Sequence, residues 1–109
     1  MGGKAAFTLP ITNMTVEYIR YRIAAEQQPA FVQAIHSANE LLAQAPDCLG
    51  YQLSHCQEDP ELFIWRIEWT SVDRHLNGFR KSPAFGAFFQ LVKPFYQSIQ
   101  EMNHYAVVG

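Results

Sequence analysis

Residues 50–69 read GYQLSHCQEDPELFIWRIEW. Two runs, Gly50 to Gln57 and the aromatic-rich Leu62 to Trp69, flank Glu58-Asp59-Pro60-Glu61. Asp and Pro are turn formers, so the stretch predicts two strands joined as a β-hairpin. In the second run Phe63, Trp65, Ile67 and Trp69 alternate with Ile64, Arg66 and Glu68, which makes one strand face wholly apolar. That face needs something to cover it.

Upstream, Thr15 to Ile23 is rich in β-branched and aromatic residues and reads as a strand. Val16, Tyr18, Arg20 and Arg22 share one face; Glu17, Ile19, Tyr21 and Ile23 share the other. Neither face is simply solvent-like, so the strand is expected to lie centrally with both faces covered. Pro29 suits the first position of a helix, where its missing N–H costs nothing. Phe31, Ala34, Ile35, Ala38, Leu41, Leu42 and Ala45 then recur at helical spacing until Pro46.

Downstream of the hairpin, Ser71 can cap a second helix with Asp73 in its first turn. Ser82-Pro83 is expected to restart it, Ser as cap and Pro at the first position. Phe85, Phe88, Phe89, Val92 and Phe95 form a stripe, continued past Pro94 by Ile99 and Met102, and His104 to Val108 reads as a last short strand. Residues 1–13 read as an N-terminal arm and 14–109 as a single domain. The order β-α-β-β-α-β is the ferredoxin-like α+β plan, an antiparallel sheet with both helices on one face. The other sheet face is expected to be largely apolar and buried in a two-fold homodimer.

Composition narrows the function. The chain has 109 residues, 8 Lys+Arg against 10 Asp+Glu, 49% hydrophobic and 17% charged residues. That balance excludes a disordered chain and argues against a nucleic-acid partner. Aromatics reach 14%, with eight Phe, five Tyr and two Trp, which implies a dense core, an aromatic-lined pocket, an apolar interface or a mixture. No apolar run is long enough to span a bilayer and the N-terminus lacks a signal-peptide core, so a soluble, cytoplasmic protein without a membrane partner is expected. Cys48 and Cys56 are expected to be free thiols.

These segments resemble the antibiotic biosynthesis monooxygenase family of the dimeric α+β barrel group. The resemblance runs from Val16 to Val108. It is carried by the first strand, Cys48-Leu49-Gly50-Tyr51, the Glu58-Asp59-Pro60 turn, Ile67-Glu68-Trp69 and Ser82-Pro83-Ala84-Phe85. More narrowly, YIRYRI, CLGY, RIEW, HLNGFRKSP and EMNHY together resemble a subgroup found beside, or fused to, group II truncated haemoglobins. The resemblance implies a cofactor-independent monooxygenase acting on a small aromatic, phenol- or quinol-like substrate between sheet and helices, with no cofactor and no metal. The alternative it implies is a non-catalytic ligand-binding or accessory module partnering a truncated haemoglobin. Haem-degrading relatives place an Asn in the first strand and a Trp and a His in the second helical region. Those positions fall near Arg20 or Tyr21, Phe79 and Phe89, so haem degradation is disfavoured. Many relatives also carry a His that would fall at Gly78 or Phe79, one helical turn from His75.

His75 is the candidate base, because imidazole titrates near neutrality. Arg20 and Arg22, with Tyr18 on the same strand face, are candidates to hold an oxyanion or substrate carboxylate; they would otherwise pair with Glu17 or Glu68. Arg66 and Glu68 are expected in the same network and are also candidates to contact the substrate. Trp65 and Trp69 read as core or interface first and Phe85 and Phe89 as core first; all four, with Phe79, are candidate pocket walls. His55 and Cys56 point to opposite faces and cannot share a metal. His36 and His104 have no His or Cys at ligand spacing.

Overall fold

The computed structural model describes residues 14–109; the expected arm, 1–13, lies outside them. The chain forms β1 (Thr15–Arg22), α1 (Gln28–Leu42), β2 (Cys48–His55), β3 (Leu62–Trp69), α2 (Phe85–Val92) and β4 (Ile99–Ala106). Between β3 and α2 lie a π-helical turn, Arg74–Gly78, and a 3-10 turn, Phe79–Lys81; a further 3-10 segment, Lys93–Ser98, leads into β4. The strands form one sheet in the order β2-β3-β1-β4, with β1 antiparallel to both β3 and β4. This is the expected ferredoxin-like α+β fold.

Each local signal has a visible cause. Pro29 sits in the first turn of α1, where it removes only an N–H that would lack a helical partner. The helix ends through progressively tighter turns, with Ala43 N bonded to Asn39 O at 2.8 Å and Gln44 N to Leu41 O at 3.2 Å. In the hairpin turn, the Asp59 carboxylate accepts from Glu61 N at 3.1 Å and Asp59 O accepts from Leu62 N at 3.0 Å. That local closure fixes the strand register. Ser71 caps the second helical region, its hydroxyl accepting from Arg74 N at 3.0 Å.

The core lies between the sheet and α1. Phe63, Trp65, Ile67 and Trp69 are all at most 3% exposed and meet Phe31, Ile35, Ala38 and Leu42, each fully buried. Burying Trp requires an acceptor for the indole N–H. Trp65 Nε1 donates to Asn39 Oδ1 at 3.0 Å, and Trp69 Nε1 donates to Glu17 Oε1 at 3.0 Å.

The structure corrects some expectations. Ser82 does not cap α2. The helix starts at Phe85, and the Ser82 hydroxyl instead turns back to donate to Phe79 O at 2.7 Å. Ile99 and Met102 belong to β4, opposite Tyr21 and Ile19; the register shift between Arg20 and Tyr21, which leaves Gln100 without a partner, puts these two residues, three apart, on the same sheet face. Within one chain only one face of β1 is covered. Tyr18, Arg20 and Arg22 are exposed on the other. That open face is charged and aromatic rather than largely apolar. Arg20 pairs with Glu101 at 3.3 Å and Arg22 with Asp59 at 2.8 Å. Arg66 pairs with Glu68, and Tyr18 meets Tyr105 edge-on at 5.3 Å. Cys48 and Cys56 are free.

The Trp65–Asn39 bond generates a stability prediction. Asn39→Ala leaves a buried indole N–H without an acceptor and should destabilise by about 1–3 kcal/mol. In a urea-denaturation double-mutant cycle, adding Trp65→Phe should cost less than the sum of the single changes. Strict additivity would show that the bond contributes nothing.

Candidate functional site

A cavity of about 560 Å³ opens between the sheet and α2. Its apolar body comes from Ile19 and Tyr21 of β1, Trp65 and Ile67 of β3, and Phe85 and Phe88 of α2. These residues face inward because the strand positions share one parity and the helix positions fall at helical spacing. The volume is in the range of small-molecule sites, and flat aromatic walls suit a planar guest.

One part of the cavity wall is polar. Glu17 and His75 both line it, each only 4% exposed. Three separate elements build the cluster. Glu17 and His104 are register partners across β1 and β4. His75 comes from the π-helical turn, whose wider backbone turn is a frequent feature of functional sites. Its ring stacks on Trp69 with centroids 4.4 Å apart and planes 9° from parallel. His75 Nδ1 lies 2.8 Å from His104 Nε2, one ring donating to the other. His75 Nε2 stands 3.6 Å from Glu17 Oε1.

Burial sets the charge state of these groups. It pushes the Glu17 carboxyl up from its ordinary value; the Trp69 bond and the Arg80 charge only partly oppose it. It pushes His75 down to about 3, helped by the positive charge of Arg80 and by His104. His104 is lowered by burial first and Arg80 second. Both rings are therefore neutral at neutral pH. A neutral imidazole carries one N–H and one lone pair, so the 2.8 Å contact between the rings is satisfied without a third partner.

The donor atoms of Glu17, His75 and His104 all lie within 4.8 Å of one another, and imidazole and carboxylate are suitable ligands for a divalent ion. The direct bond between the rings, however, aims a lone pair at an N–H rather than aiming two lone pairs at a common centre. The arrangement is a hydrogen-bonded pair of imidazoles with the Glu17 carboxyl 3.6 Å from His75 Nε2 beside it.

Of the sequence candidates, His75, Trp65, Trp69, Phe85 and Phe89 come together around this cavity. Phe79 does not line it. It sits behind the wall, 5.2 Å from Trp69 and 5.0 Å from Phe88 between ring centroids, and borders a second cavity of about 460 Å³ beside α1. Tyr18, Arg20, Arg22, Arg66 and Glu68 lie on the opposite sheet face, so the expectation that they orient a substrate beside His75 is not met. Strand parity is the reason: Arg20 and Arg22 are even-numbered neighbours of Tyr18, whereas Ile19 and Tyr21 face the cavity. Glu17 and His104 were missed. The legible signal for Glu17 was a single acid on an otherwise apolar strand face. His104 had none, because only β1–β4 pairing brings it to His75.

The raised Glu17 value makes a stability prediction. Below pH 4.5, the ordinary value, the carboxyl is neutral in both folded and unfolded chains and costs nothing. As pH rises the unfolded carboxyl ionises first, so the folded state loses stability until pH passes the folded value. Glu17→Gln keeps an acceptor for Trp69 and removes this penalty. Thermal melts should show the variant gaining stability over the parent as pH rises from 4 to 8. The gain should grow by about 1.4 kcal/mol for each pH step over which the unfolded carboxyl is ionised and the folded one is not. A gain that shrinks as pH rises would refute the buried-charge account.

Comparison with known proteins agrees with this architecture. The family model described as antibiotic biosynthesis monooxygenase matches residues 14–91. An uncharacterized protein, YczJ of Bacillus subtilis (strain 168), is 24% identical over 75 residues, covering 69% of this chain and 79% of that protein. A candidate antibiotic biosynthesis monooxygenase from Bordetella bronchiseptica superposes with a TM-score of 0.73 at 23% identity, over 90% of this chain and 100% of that one. A variant of SnoaB, a cofactor-independent oxygenase from Streptomyces nogalater, superposes with a TM-score of 0.74 at 11% identity, over 90% of this chain and 96% of that one. At these identities the structural likeness is one of fold. Because the family model spans most of the chain, from β1 through α2, the chain belongs to the antibiotic biosynthesis monooxygenase family.

Proposed function

We propose that this protein is a cofactor-independent monooxygenase acting on a small aromatic, phenol- or quinol-like substrate bound between sheet and helices. The observation that carries the reading is the cluster of buried Glu17 and His75 with half-buried His104, the first two at the wall of an aromatic cavity. Oxygenation without a cofactor needs a substrate that supplies the electrons itself. A phenolate can pass one electron to O2; the resulting radical pair joins through a new C–O bond as a peroxide. That peroxide takes up a proton, its O–O bond breaks with loss of the ring C–H proton, and quinone plus water leave. One phenol and one O2 are consumed and both oxygen atoms are accounted for.

The protein's task is the first proton. His75 Nε2 faces the cavity and takes the phenolic proton. The Glu17 carboxyl, 3.6 Å away and held toward its neutral form by burial, can give up its own proton as the imidazolium forms beside it, since an adjacent positive charge favours the carboxylate. His75 Nδ1 can then hand its own proton to His104 Nε2 across 2.8 Å. His104 is half-buried on β4, an edge strand, from which the proton reaches solvent. The proton later needed by the peroxide returns along the same chain.

An accessory module partnering a truncated haemoglobin is the second reading. Such a module needs no acid–base cluster in its cavity, and the presence of one favours the enzyme. Co-purification of a haem globin with a protein inert toward phenols would reverse that preference.

Oxygen uptake with a dihydroxynaphthalene as probe tests the enzyme. His75→Gln should lower kcat/KM by about 10²–10⁴-fold, the usual worth of a general base. For the parent, the acid limb of kcat/KM should fall well below pH 6.5, since His75 is held at about 3. Uptake that is unchanged in His75→Gln, or an acid limb at the ordinary imidazole value, would remove His75 from the mechanism.

The homodimer also stands as a proposal. Leu49 is 54% exposed and Tyr105 42% exposed on or beside the open sheet face, and a second copy would cover them through a two-fold contact. Sedimentation equilibrium should give twice the chain mass of 12.5 kDa, and Tyr18→Glu with Tyr105→Glu should shift it to monomer. A parent that sediments as a monomer would overturn the dimer.

A further inference from the structure

The cavity is apolar inside but its rim is cationic. Arg80 and Lys93 both border it and both are exposed. The other arginines each have a carboxylate partner: Arg20 with Glu101, Arg22 with Asp59, Arg66 with Glu68 and Arg74 with Asp47. Arg80 and Lys93 have none among the described residues. Among those same residues, the only acid that borders the cavity is Glu17, and burial holds that carboxyl toward its neutral form.

Exposed Lys and Arg are ordinary on any protein surface, and Lys93 alone would mean little. Arg80 differs because it borders the cavity and its charge reaches the polar wall. Its charge opposes protonation of both His75 and His104 and acts on Glu17 as well. A guanidinium that faces a cavity without a counter-ion leaves a region of positive potential at the mouth. A planar guanidinium presents two parallel N–H donors that match a carboxylate, and an ammonium nearby adds a point charge.

We infer that the ligand of this cavity is an aromatic acid, with its rings between the Trp and Phe side chains, its hydroxyl toward His75 and its carboxylate at the Arg80–Lys93 rim. This rests on the aromatic-substrate reading above and adds the charge of the substrate to it. Binding is then oriented. The carboxylate stays at the solvent side while the rings fill the apolar body.

Calorimetric titration of the full chain with a hydroxynaphthoate and with the naphthol lacking its carboxylate tests the inference. The acid should bind about tenfold more tightly at low ionic strength, and added salt should shrink the difference because the rim is solvent-exposed. Arg80→Gln should remove most of the preference and Lys93→Gln part of it. Unchanged melting temperatures would show that both variants fold. Equal affinity of the parent for the two compounds, or a preference that survives both substitutions, overturns the inference and leaves the aromatic-substrate reading standing. Binding of neither compound overturns both.

Discussion

The pleat of β1 sends Glu17, Ile19 and Tyr21 to one side of the sheet and Tyr18, Arg20 and Arg22 to the other. Because β1 is hydrogen-bonded to β3 along one edge and to β4 along the other, it cannot slip by one residue without exchanging both sets of side chains. Such a slip would expose Ile19 and Tyr21 and drive two guanidinium groups into the core. The register is therefore strongly specified. It also fixes which residues can cooperate, since Glu17 must face His104 and Tyr18 must face Arg66.

On the covered side, this constraint sets apolar packing and acid–base chemistry against each other. Trp69 needs an acceptor for its indole N–H and finds it in Glu17, yet desolvation disfavours a charged carboxylate there. His75 stacks on the same indole and hydrogen-bonds to His104, so the ring is held from two directions. A buried acid beside two neutral imidazoles is an expensive way to fill a core, and apolar residues of similar size would be more stable. Perturbed titrations of this kind concentrate at functional sites. The π-helical turn at Arg74–Gly78 belongs to the same trade-off, because a regular helix would present a different residue to Trp69.

Much of the fold was legible. Alternation in Leu62–Trp69 and the Asp59-Pro60 turn specified the hairpin, and Pro29 with the Phe31–Leu42 spacing specified α1. Errors came where two periodicities agree. Ile99 and Met102 extend a helical stripe as easily as they occupy one face of a strand whose pairing is irregular between Arg20 and Tyr21. Ser82-Pro83 has the chemistry of a helix start, but its hydroxyl found a nearer acceptor in Phe79 O. The polar content of the open face was written in Arg20, Arg22, Arg66 and Glu68, whose parity excludes them from the cavity.

Local chemistry by itself determined the element order, the apolar face of β3 and the first helix. These depend on residues near one another in sequence, where propensity, turn geometry and side-chain period act. The tertiary structure alone decided that His104 meets His75, that Glu17 joins them, and that Arg80 rather than Arg20 or Arg22 stands beside the cavity. Those contacts join residues from distant parts of the chain. They form only when β4 returns to the free edge of β1, and no spacing along the sequence encodes that return.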